Sequence, residues 1–181
     1  MLDNHPTYRL FVPKQAVGGD LIYFDFFNAT GSGHDILLMS VMPVVSGAVA
    51  VTGVVGVDLH LNRTSAVGTG GTAAGFNLSA FTSASIACLA YGGAPMPTGI
   101  TARLTPTGGA TAGAHLGWCC VFSEETNSGT YNAARNDLVT MGLADATPII
   151  IQQNSGISVV QGAVASVGNI GFNVSFRLKA K

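Results

Sequence analysis

Near its end the chain alternates strictly. Ile170, Phe172, Val174, Phe176 and Leu178 are apolar, while Gly171, Asn173, Ser175, Arg177 and Lys179 between them are small, polar or charged. A helix would scatter these five apolar groups around its circumference; a period of two gathers them on one face of a strand. "VDLHLNRT" repeats the pattern, with Val57, Leu59 and Leu61 opposite Asp58, His60 and Asn62, as in a half-buried antiparallel strand. In "DLIYFDFFNA", Ile22, Phe24 and Phe26 share one face and Tyr23, Asp25 and Phe27 the other. "AHLGWCCVF" places Leu116, Trp118, Cys120 and Phe122 together, with Trp118 read as core. "SIACLAYGG", "ITARLTPTGG", "TPIIIQQ" and "ISVVQG" are further strands, set apart by turns at "TGSG", "APMP" and "NSG". About eight to ten strands at this spacing predict an all-β fold. The expected form is a single antiparallel β-sandwich, jelly-roll or Greek-key like.

Three stretches depart from the pattern. Ile36 to Val57 runs twenty-two residues without a charge, long enough to span a membrane. Pro43, Gly47, Gly53 and Gly56 interrupt it, and its flanks are Asp35 and Asp58. Two buried strands joined by a turn near Ser46-Gly47 explain all of this, so no membrane partner is expected. Residues 1–19 carry Pro6 and Pro13 and end in Gly18-Gly19, which reads as an extended N-terminal arm docked on its own body or on a neighbour. The sandwich domain is then 20–181. Within it 123–146, the one polar region, reads as a long loop insertion, with a short helix over 132–140.

Composition sharpens the functional reading. Charged residues make up 9% of 181, against about 25% in an ordinary soluble domain. Eight Lys and Arg against nine Asp and Glu leave a net charge of −1, so no basic face for nucleic acid can be assembled. A chain so poor in charge suits a surface covered by partners better than a free monomer. Cys88, Cys119 and Cys120 are an odd set with two neighbours on opposite strand faces, unsuited to a disulfide framework or a shared metal. They read as buried small hydrophobes. The N-terminus lacks the basic-then-apolar layout of a signal peptide.

Candidate chemistry is sparse, and no hydrolase elbow, phosphate loop or zinc-protease motif occurs. "GSGH" (31–34) lacks the lysine and helix that a phosphate loop needs, and reads as a turn. Asp58 and His60 are the one couple at i and i+2 that a cupin-like metal centre would use, and the plainer reading is a solvent-facing pair. Adjacent Glu124 and Glu125 rarely converge as glycosidase acids, and read as a solvated loop. Trp118, Tyr91 and Tyr131 are the aromatics available to stack on a sugar. No cofactor is expected.

"FDFFNATGSGHDILLMSVMPV", "VTGVVGVDLHLNRTSAVGTGGTAAG" and "PIIIQQNSGISVVQGAVASVGNIGFNVSFRL" together cover about half the chain. They resemble segments of small virion proteins of tailed bacteriophages, in particular the β-sandwich or jelly-roll head decoration (cement) class. The resemblance rests on structural motifs, a strand–"NATGSG"–strand opening, a "GGTA" loop and a "GxxVxQG" strand, and carries over no catalytic residue. It implies a non-enzymatic protein on the capsid exterior, binding the major capsid protein as a homo-oligomer, commonly a trimer, and assembled in the bacterial host cytoplasm. On that reading the contacts fall to the arm and the insertion, with Leu2, Tyr8, Leu10, Phe11, Tyr131 and Arg135 as interface candidates. The alternative is a receptor- or carbohydrate-binding module of a phage tail or fibre.

Overall fold

The computed structural model describes residues 7–46, 55–78, 86–91, 95–109, 113–123, 139–140, 148–164 and 168–181. Among these there is no helix. The strands are β1 (Thr7–Ala16), β2 (Ile22–Asn28), β3 (His34–Ser46), β4 (Val55–Thr64), β5 (Thr72–Ala73), β6 (Gly75–Leu78) and β7 (Ala87–Tyr91). They continue with β8 (Ile100–Leu104), β9 (His115–Ser123), β10 (Val139–Thr140), β11 (Ile149–Ile151), β12 (Ser155–Gln161) and β13 (Asn169–Ala180). A seven-stranded sheet runs β10-β3-β13-β1-β7-β6, with β11 also on β3, and a six-stranded sheet runs β5-β8-β2-β12-β4-β9. Every pairing is antiparallel except β6 with β7. The two sheets pack face to face as a β-sandwich.

The aromatic groups foreseen on inward faces join the sheets. Phe26 of one sheet lies 4.7 Å from Phe176 of the other, and Phe24 lies 5.4 Å from Phe172. Tyr8 stacks on Phe176 at 5.3 Å. Leu59, Leu61, Ile157, Val159 and Val174 are fully buried around them. Each such side chain stabilises the fold by about 1.5–3 kcal/mol through apolar area removed from water.

Several expectations change on contact with this topology. Of the two strands expected in 36–57, the first is β3; residues 47–54, where the second was expected, lie outside the described residues, and β4 is the strand read from "VDLHLNRT", in the other sheet. Of the expected arm, β1 is docked on the body itself, hydrogen-bonded between β13 and β7 with its inward groups in the core; residues 1–6 lie outside the described residues. Pro13 is tolerated because the register with β13 slips between Val12 and Gln15, a bulge in which the missing N–H interrupts nothing. In the insertion, Val139–Thr140 form a strand on β3 where a short helix was expected; the rest of 124–138 and 141–147 lies outside the described residues.

Candidate functional site

The outward face of the six-stranded sheet carries one row that is polar from one side to the other. Cross-strand partners Arg103, Asp25, Ser158, Asn62 and His115 form one row over β8, β2, β12, β4 and β9. Asp25 and Ser158 are wholly inaccessible and Asn62 nearly so. Loop 65–71, after β4, lies over this row and is tied to the loop after β8. The Thr69 N–H donates to Gly108 O at 2.7 Å, and the Thr107 N–H to Thr69 O at 2.9 Å. Gly68, in the first loop, donates its N–H to Asp25 Oδ2 at 2.9 Å. Glycine is required there, since a Cβ would sit 2.7 Å from the Asp25 carboxyl carbon and 2.9 Å from Pro106 Cβ.

Burial raises the pKa of Asp25 above the ordinary carboxylate value, partly offset by the Gly68 N–H and by the nearby Arg103 guanidinium. Asp25 Oδ1, Ser158 Oγ, Asn62 Oδ1 and Thr64 Oγ1 are buried oxygens without a hydrogen-bond partner. Such groups cost stability, about 1–3 kcal/mol each unless water reaches them.

Beside this covered row an exposed cluster opens on β4 and β9. Trp118 stands directly opposite His60 in register, and Cys120 opposite Asp58. The Trp118 indole Nε1–H donates to Asp58 Oδ1, and His60 Nε2 lies 2.9 Å from Asp58 Oδ2. The His115 ring centroid is 5.1 Å from that of His60. One carboxylate therefore holds both the indole and an imidazole. Trp118 is 65% exposed, not core. The cause is a bulge: Leu61 pairs with Gly117 and Asn62 with His115, which leaves Leu116 outside the ladder and packed toward the core. The phase of β9 then puts Cys119 and Val121 inside and Trp118 outside.

The Asp58–His60 couple faces outward, away from the space between the sheets. Among the described residues no three His, Cys, Asp or Glu side chains converge as a metal centre requires. Cys88 and Cys119 are buried, and burial pushes the Cys88 thiol up to about 12.

The interface candidates separate. Tyr8 and Leu10 are 2% and 0% exposed, so they are core and not contact residues, because alternation turns them inward from β1. Phe11, of opposite phase, lies on the outward face of the seven-stranded sheet and is half-buried. Leu2, Tyr131 and Arg135 lie outside the described residues. On the same outward face Met42, Asn173 and Phe11 form one cross-strand row, and Ile150, Leu37, Arg177 and Thr7 another. Leu37, Met39, Met42 and Val44 are half-buried and Ile150 is exposed. Of these residues the sequence had singled out only Phe11; the apolar groups of β3 had been read as buried because their run is continuous.

Comparison with protein-family models, with curated proteins and with solved structures finds no match to this chain.

Proposed function

We propose that this chain is a non-enzymatic virion protein that binds the outer surface of a capsid and stabilises the shell, working as a homo-oligomer, a trimer on the resemblance in its sequence. The observation that carries the reading is the outward face of the seven-stranded sheet. There Leu37, Met42, Val44, Phe11 and Ile150 leave apolar surface in contact with water, interspersed with Arg9, Arg177 and Lys179. Asp35, the acid of that face among the described residues, is already paired with Lys181 at 3.2 Å. An apolar face with polar groups among it suits a broad contact with another protein, whose centre is apolar and whose rim is polar.

Strand order supports the same reading. β1, β2, β3 and β4 alternate between sheets, and pairs β1–β13, β2–β12, β3–β11 and β4–β9 are nested. We read this as the winding of a jelly roll with β5–β8 inserted, a fold used by viral shell proteins and by lectins and cupins. A fold alone does not give a role. Binding to an assembled lattice and not to free subunits stabilises the lattice by mass action, and repeated copies add avidity.

The test is occupancy. Purified protein is added to capsids lacking it, and bound copies are counted by sedimentation and electron cryo-microscopy. Saturable binding, lost on Met42→Asp and Leu37→Asp while the melting transition is kept, is the expected result. A protein that stays monomeric at high concentration and leaves every such shell bare overturns the reading.

A further inference from the structure

We infer that the exposed cluster on β4 and β9 is a saccharide-binding site, with Trp118 as its platform. It lies on the six-stranded sheet, away from the proposed capsid-facing surface, and does not depend on that proposal.

Trp118 is the one tryptophan of the chain and leaves 65% of its surface open. It is the largest of the exposed apolar side chains among the described residues. It is also held in place. The indole N–H is fixed on Asp58 Oδ1, and Asp58 is fixed in turn by His60 at 2.9 Å. A ring immobilised before the ligand arrives saves ordering entropy on binding.

The surroundings choose the ligand class. A pyranose presents a face of C–H groups that lies flat on an aromatic ring, with hydroxyls at its rim that both donate and accept. The polar groups around Trp118 are Asp58, His60 and His115, the last exposed and 5.1 Å ring to ring from His60, with half-buried Cys120 and Val160 as the small apolar neighbours on the same face. The second nitrogen of His60 and both nitrogens of His115 have no hydrogen-bond partner among the described residues. Imidazole offers a donor at one nitrogen and an acceptor at the other, which suits a hydroxyl. A protein-binding hot spot would want apolar neighbours that exclude water around the anchor. A quaternary ammonium would want further aromatic walls.

The experiment uses the full chain. It is screened on a glycan array, and each hit is titrated as the free sugar by tryptophan emission and by calorimetry. Emission reports the site directly, because no other tryptophan contributes. The expected result is saturable binding with a dissociation constant on the order of 1 mM for a monosaccharide, as a small one-sided contact allows. Trp118→Ala weakens it at least tenfold by calorimetry with the melting temperature unchanged, and His115→Ala at least threefold. Asp58→Ala lowers the fluorescence anisotropy of Trp118, the sign of a released ring. An array without a hit, or sugar affinity that survives Trp118→Ala, overturns the inference. So does a Trp118→Ala protein that fails only in binding to shells, which would assign the patch to a protein contact. A negative glycan result leaves the Met42 and Leu37 shell assay standing.

Discussion

On the six-stranded sheet the outward row Arg103, Asp25, Ser158, Asn62, His115 is polar throughout, and the chain lays a loop of its own over the middle of it. On the seven-stranded sheet the outward rows are rich in Leu, Met, Phe and Ile, and they stay partly open. A free monomer gains more by the reverse arrangement, with loops over the apolar face and water over the polar one. Covering the polar row isolates a carboxylate and strands several oxygens, a cost the rest of the fold has to offset. Leaving the apolar face open keeps it available to something else. One outward face is internal architecture and the other is unspent surface.

Substitutions can separate these two roles, and the largest effect is expected under the loop. Gly68→Ala forces a methyl against Asp25 and Pro106, lifts the loop and removes the hydrogen bond to Asp25 Oδ2. A loss of about 3 kcal/mol in urea unfolding is expected from overpacking plus the lost bond. A silent Gly68→Ala would show that the loop is no part of the folded unit.

Asp25→Asn should stabilise the protein at neutral pH by about 1–2 kcal/mol, since it discharges a buried group and keeps an oxygen to accept from the Gly68 N–H. The pH dependence has a definite sign. Because the folded pKa of Asp25 is raised, its ionisation penalises the fold increasingly as pH climbs from the ordinary carboxylate range through the raised value, and acidification relieves the penalty. The stability difference between Asp25→Asn and the parent should therefore shrink as pH falls toward 4, measured by melts over a pH series.

Ser158→Ala, which deletes a wholly buried hydroxyl without a partner, should gain about 0.5 kcal/mol. The smallest change belongs to the other face. Met42→Ser should alter the unfolding free energy by less than about 0.5 kcal/mol while reducing occupancy on shells. A loss of several kcal/mol there would mean that the face is structural after all.

Strands whose apolar period runs unbroken are legible from the pattern alone. Ile170 through Leu178 and Val57 through Leu61 point inward as their alternation requires. Misreadings fall where a bulge shifts the phase. Leu116 leaves the ladder and Trp118 turns outward; Pro13 leaves it and β1 stays in the sheet. A bulge depends on the partner strand, which local pattern does not reveal. Tyr23 behaves likewise: β12 pairs Val159 with Phe24 and Val160 with Ile22, and the skipped Tyr23 turns to Phe172 at 5.3 Å and donates its hydroxyl to Gln161 at 2.8 Å. Asp25 was placed on the right face, but its burial was illegible, because it depends on where loop 65–71 docks. The Asp58–His60 couple was visible as a pair; its hold on Trp118 required the cross-strand register.

One arrangement bears on how the molecule is made. β12 separates β2 from β4, and β13 separates β3 from β1, so the middle of each layer comes from residues 155–180. Before those residues are made, each earlier strand can pair on one edge alone: β1 with β7, β2 with β8, β3 with β10 and β11, and β4 with β9. Neither layer can close until those residues have cleared the ribosome. The two halves of each sheet are therefore joined late, by β12 and β13, through contacts of long sequence separation that form slowly.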